Sequence, residues 1–182
     1  MRLRSYKWIT FPISADVGEQ KSLINSSFSG GLLPLQNEST EMTIEERQQE
    51  VIEEFALFED WMQKYEHLIE LGKELPLISE DVKDDDHLIK GCQSRVWLNA
   101  GKSDSGNVIF TADSDAIITK GMIALMIRIL SDQPAQDVAN AELHFVDAIG
   151  LHEHLSPTRS NGLASMIKQM KFYGVAFQSK EA

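Results

Sequence analysis

Residues 94–130, SRVWLNAGKSDSGNVIFTADSDAIITKGMIALMIRIL, hold the pattern that decides the fold. SRVWLNA (94–100) and NVIFTAD (107–113) are short runs rich in β-branched and aromatic residues. GKSDSG lies between them, so the two runs predict an antiparallel hairpin with a longish loop. From Ser114 to Leu130 the chain is apolar almost all round, interrupted by Asp115, Lys120 and Arg128. That length is wrong for a membrane span and two cations fall inside it, so the stretch reads as a core helix.

Working outward, Ile44, Val51, Ile52, Phe55, Phe58, Trp61, Met62, Tyr65, Leu68 and Ile69 recur mostly at three- and four-residue steps. The spacing predicts an amphipathic helical region over 43–71, broken once, with Gly72 as its stop and Pro76 beyond. SEDVKDDD (79–86) reads as an acidic loop. Downstream, Pro134 opens PAQDVAN, and ELHFV (142–146) fits either a strand or a helix start. DAIGLHEHL reads as a short helix closed at Ser156-Pro157, and TRSNG (158–162) as a loop and cap. Leu163, Met166, Ile167, Met170, Phe172 and Tyr173 form a last amphipathic helix. The expected class is α+β, with helices packed around one small antiparallel sheet.

Composition narrows the function. Of 182 residues, 42% are hydrophobic and 25% charged, ordinary for a packed domain. The formal charge of −11 repels phosphate backbones, and no polybasic cluster suits a membrane surface, so neither nucleic acid nor membrane is an expected partner. One cysteine makes no internal disulfide and no thiolate-rich metal site, which points to a reducing, cytoplasmic setting. Residues 1–41 hold four bases and four acids and contain SSFSGG. They read as a disordered extension or a misassigned start, with a targeting segment as the minority alternative. Residues 42–182 carry the whole net charge and form the domain.

Cys92, in IKGCQSRVW, is the first candidate for chemistry. A free cysteine is commonly a small core residue. Here Gly91 permits unusual backbone angles, and Gln93 and Ser94 are polar, so a reactive loop thiol is the live alternative. A hydrolase dyad of Cys92 with one of His67, His87, His144, His152 or His154 is a further reading, although no spacing selects a base. HEH at 152–154 sends its two rings to different helix faces, so no metal site is expected. DSDAIITKG (113–121) reads as a helix N-cap. Arg159 reads as an exposed loop arginine, or as a group that supports the thiol or contacts a partner.

IKGCQSRVW, ADSDAIITKGMIALM and HEHLSPTRSNGLASMI, in that order, resemble the SufE family, the sulfur acceptors of iron–sulfur cluster biogenesis. The resemblance spans roughly residues 46–175 and includes FALFEDWMQKYEHLIELGKELP. It implies the α+β fold of the SufE/IscU-like scaffold superfamily. It also implies a non-enzymatic relay that takes persulfide sulfur from a SufS-like cysteine desulfurase, stimulates that enzyme and delivers to a SufBCD-like scaffold complex, without metal or cofactor. Cys92 matches the acceptor cysteine, and Gly91, Gln93, Ser94, Val96 and Trp97 its motif. Asp113, Asp115, Lys120 and Gly121 match the second block, and Arg159, Ser160 and Gly162 the third. Arg95 departs from the family, where glutamine is frequent. A homodimer is left open.

The chemistry suits that role, because transfer is thiolate attack on a persulfide sulfur and needs one protected thiol. A cluster scaffold would need several ligands, so one cysteine favours relay. Such a thiol is expected to rest tucked against the sheet. Gly91, Gln93, Asp113, Asp115 and Arg159 are the expected supporting and partner-contact residues.

Overall fold

A computed structural model describes residues 42–179; the expectation for residues 1–41 lies outside that range. Thr43 opens helix α1 (Ile44–Phe55) with a capping box: its Oγ1 accepts from Glu46 N–H, and Glu46 Oε2 accepts from Thr43 N–H at 2.8 Å. Asp60 caps α2 (Trp61–Lys73) in the same way, its Oδ1 accepting from Gln63 N–H. The helical region therefore breaks once, as its periodicity predicts. After a single 3-10 turn (Glu80–Val82) come strands β1 (Val96–Lys102) and β2 (Val108–Ser114), then α3 (Ile117–Leu130). The chain ends with α4 (Ala135–Asn140), α5 (Phe145–Ala148), α6 (Leu151–His154) and α7 (Pro157–Gln178).

The strands pair antiparallel from Val96↔Ser114 to Lys102↔Val108. Single bridges at Leu77, Leu88 and Gln133 widen this two-stranded ribbon. Helix α3 is the centre of the core, buried at every position except Ile117, Lys120 and Arg128. A helix apolar on all sides must be surrounded, and α1, α2, β2 and α7 surround this one. Arg128 escapes the apolar core by pairing with Glu54 on α1 at 2.6 Å, and the same carboxylate meets His67 Nε2 on α2. Three helices are thereby pinned by one half-buried charge cluster. Burial pushes the Glu54 carboxyl up, but the His67 hydrogen bond and the Arg128 charge outweigh it and hold it below its ordinary value.

Four local expectations give way to tertiary packing. Gly72 does not stop α2; it lies inside the helix, where an added Cβ would sit 2.8 Å from the Gly121 nitrogen of α3. DAIGLHEHL is two short helices, parted at Gly150 with φ +81°. Pro157 opens α7 rather than closing its predecessor, so TRSNG is the first turn and a half of that helix. Proline at the first helical position loses no internal hydrogen bond, which is why the same residue reads both ways. Finally, α3 carries no side-chain N-cap, because Ala116 occupies the cap position and Asp115, one residue earlier, accepts from the Arg95 N–H instead. ELHFV becomes loop and the start of α5, not a strand.

Candidate functional site

The Cys92 loop projects from a clamped base. Ile89 N–H donates to the Val96 carbonyl at 2.8 Å, and Leu98 N–H to the His87 carbonyl at 2.9 Å, so the two ends of the loop are held together. Between them Gly91 adopts φ +92°, where a side chain would be strained, and its missing Cβ would stand 2.9 Å from Ser165 Oγ on α7. This glycine turns the chain so that Cys92 faces the helices.

Cys92 is half-buried and packs on the edge of the core. Its thiol donates a long hydrogen bond, 3.5 Å, to the Gly162 carbonyl in the first turns of α7. The expected resting place was the sheet; the observed seat is α7, because Pro157 starts that helix early enough to bring Gly162 under the sulfur. Burial pushes the Cys92 thiol above its ordinary value, so the resting group is the protonated, weakly nucleophilic form.

Beside the sulfur lies a cavity of about 400 Å³. The loop contributes Cys92, Gln93 and Ser94, the β2–α3 connection contributes Asp115, and the first turns of α3 contribute Ile118, Thr119 and Met122. From α7 come Arg159, Gly162 and Met166. Thus Cys92, Gln93, Asp115 and Arg159 are brought together, while Gly91 shapes the loop from behind. Asp115 accepts from the Arg95 backbone N–H at 3.0 Å, and Ser114 Oγ donates to the Arg95 carbonyl at 2.8 Å. Those bonds fasten the exit of the loop to the end of β2.

Asp113 does not reach this cavity. Its carboxylate pairs with Lys83 and Lys120, each at 2.6 Å. Burial pushes its carboxyl up, yet hydrogen bonds from Lys120 and Lys83 overcome that and hold it low. It braces the hairpin against α3 and leaves the loop to Asp115. Thr119, Met122, Ser165 and Met166 are site residues that sequence reasoning did not single out. Arg159, Gly162 and Met166 follow helical three- and four-residue spacing, a signal hidden while 158–162 read as a loop.

No histidine lines the cavity. His67 meets Glu54, His87 pairs with Asp84, His152 pairs with Asp147, and His144 lies 3.7 Å from Glu45. His154 bonds the Gly150 carbonyl and stacks on Trp61 at 4.2 Å. Among the described residues, no group of three or more His, Cys, Asp or Glu side chains is arranged to hold a metal ion. No helix among them is long and apolar enough to cross a membrane.

Known proteins resemble this chain, some in sequence and one solved structure in fold. The family profile of SufE, an Fe-S metabolism associated domain, matches residues 49–173. An uncharacterized SufE-like protein of Rhizobium etli is 36% identical over 126 residues, covering 67% of this chain and 85% of that one. SufE-like protein 1, chloroplastic/mitochondrial, of Arabidopsis thaliana is 36% identical over 123 residues, covering 68% of this chain and 33% of the plant protein. The matched region therefore spans about a third of the plant relative's length. The solution structure of a hypothetical protein from Thermus thermophilus superposes with a TM-score of 0.62 at 18% identity. It covers 73% of this chain and 96% of the other, and the likeness speaks for the fold alone. With the family profile spanning most of the described domain and a relative of 36% identity matched along most of its length, this chain belongs to the SufE family and carries its Fe-S metabolism associated domain.

Proposed function

We propose that the protein is a sulfur relay: Cys92 accepts persulfide sulfur from a cysteine desulfurase, stimulates that enzyme's turnover and passes the sulfur to a cluster-assembly scaffold. The observation that carries this reading is the seat of Cys92. The sole thiol of the chain is half-buried at a cavity mouth, held by one long hydrogen bond, on a loop whose backbone is clamped at its base. A docked partner can lift such a thiol out at small cost.

In the transfer step the Cys92 thiol loses its proton and its thiolate attacks the terminal sulfur of the donor persulfide. A new S–S bond forms on Cys92, the donor S–S bond breaks, and the donor cysteine leaves as thiolate. No external oxidant or reductant enters. Burial keeps the thiol protonated at rest, which protects it from small electrophiles. Outward movement of the loop removes the desolvation that raises its titration point, so docking and activation become one event. The rival hydrolase reading lacks a base, since every histidine is engaged away from the cavity.

The test is to incubate the protein with a cysteine desulfurase and cysteine, then weigh the product by mass spectrometry. Addition of whole sulfur atoms to Cys92 is expected, with faster desulfurase turnover. Cys92→Ser should abolish the adduct while changing stability by less than about 1 kcal/mol, as a near-isosteric swap at a half-buried loop site. An unmodified Cys92 together with unchanged turnover would falsify the relay.

A further inference from the structure

Arg95 stands where the movable loop joins the rigid hairpin, and its backbone is fixed from both sides. Its N–H donates to Asp115 Oδ1 at 3.0 Å, and its carbonyl accepts from Ser114 Oγ at 2.8 Å and from Asp115 N–H at 3.3 Å. Its guanidinium lies over the Trp97 ring, 4.7 Å from the centroid. Trp97 is buried, so it is a firm platform. Lys83 approaches the same indole at 5.1 Å, but Asp113 and Glu80 neutralise it. The Arg95 side chain is exposed and has no carboxylate within 4.0 Å among the described residues. The result is an uncompensated positive charge, ordered in advance, three residues from the thiol, on a chain of net charge −11.

Resting on the relay reading, we infer that Arg95 is a docking and specificity residue that pairs with a carboxylate on the surface of the sulfur-donating protein. Two properties make it suited to this. Stacking on an indole removes much of the rotamer freedom a flexible arginine would lose on binding. The backbone anchors lie outside the part of the loop that must swing, so the cation keeps its place while Cys92 moves. It thus sets the partner's register before the thiol emerges. Charge at the rim of an interface acts mainly on encounter rate and discrimination. In an acidic protein, a cation ordered in advance beside the reactive group tells an approaching acidic surface where to land.

The experiment measures binding of the full-length protein to a SufS-type cysteine desulfurase from the same source, at low and at physiological ionic strength. Arg95→Gln and Arg95→Glu are compared with wild type. At low salt Arg95→Gln should weaken binding about 5-fold, the size of one exposed ion pair. Arg95→Glu should weaken it roughly 30-fold, because repulsion replaces attraction. Both losses should shrink as salt rises. In turnover assays the defect should appear in the acceptor concentration needed for half-maximal stimulation. Alkylation of Cys92 by iodoacetamide in the free variants should match wild type. Equal affinities for wild type and Arg95→Glu at low salt overturn the assignment alone, leaving the relay standing. So does a salt-independent loss, or a changed alkylation rate, which would make Arg95 a clamp of the loop. Failure of the wild-type protein to bind the desulfurase at any salt concentration overturns the relay and the assignment together.

Discussion

Helices α2 and α3 meet backbone to backbone through Gly72 and Gly121, whereas the Cys92 loop meets α7 across Gly162 with room to spare. At Gly121 an added Cβ would overlap the Leu68 carbonyl oxygen, a backbone atom of a packed helix. At Gly162 it would stand 3.6 Å from Cys92 Sγ, an ordinary van der Waals contact. The first contact is part of a frame that has one arrangement. The second is a seat that tolerates small adjustment and is held by a 3.5 Å S–H···O bond. Close packing transmits strain, while a loosely filled seat lets a loop leave without disturbing the core. Placing Cys92 on the seat and not in the frame lets its loop open without unfolding the domain, as the proposed relay requires.

The largest effect should come from Gly121→Ala. Overpacking against backbone leaves no flexible side chain to move aside, so a loss of about 3 kcal/mol or more is expected. That corresponds to a fall of roughly 6–12 °C in the thermal midpoint. A fall of one or two degrees by calorimetry would show that the α2–α3 contact is no tighter than the seat.

Next comes the charge cluster of the frame. Glu54→Gln leaves Arg128 and His67 without their anion, and about 1–2 kcal/mol should be lost at neutral pH. Because the folded carboxyl titrates below its ordinary value, its contribution is complete above the ordinary carboxylate range and fades as pH falls through the folded value. Urea unfolding at neutral and strongly acidic pH should therefore show the gap between wild type and variant closing in acid. A gap that stays constant would remove the ion pairing from the account.

Asp115→Ala loosens the seat and spares the frame. Losing the bond to the Arg95 N–H costs about 1 kcal/mol locally, so iodoacetamide should modify Cys92 roughly 5-fold faster in the free protein. The thermal midpoint should hardly move. Equal alkylation rates would mean that Asp115 does not keep the loop closed.

The smallest effect belongs to Gly162→Ala, and its sign is opposite to that of Gly121→Ala. Helix α7 gains a better helix former at a position where the new methyl group fits, so stability should rise by up to about 0.5–1 kcal/mol. The same methyl group packs against the sulfur and should slow alkylation slightly. A destabilised Gly162→Ala would show that the two glycine contacts are alike after all.

Local pattern made most of the frame legible. The β-prone runs and the turn residues between them at 94–113 predict the hairpin that pairs Val96 with Ser114, and the apolar run after it predicts the buried helix α3. Such features depend on neighbours along the chain, which is why period and composition reveal them. The thiol was legible for a simpler reason: with one cysteine in the sequence, thiol chemistry has one place to occur.

Contacts between distant segments settled the rest. Asp113 and Asp115 look equivalent in ADSDA, yet the first is drawn between Lys83 and Lys120 and the second fastens Arg95. Gly72 resembles a helix stop until Gly121, 49 residues on, is seen to need its empty space. Pro157 fits both the end of one helix and the start of another, and only the packing of α7 decides between them. That decision puts Arg159 and Gly162 beside Cys92, from 67 and 70 residues away, respectively. Sequence by itself determined that this is a single-thiol α+β domain. Tertiary structure decided which groups guard the thiol, because guarding depends on what burial and charge bring within a few ångströms of the sulfur.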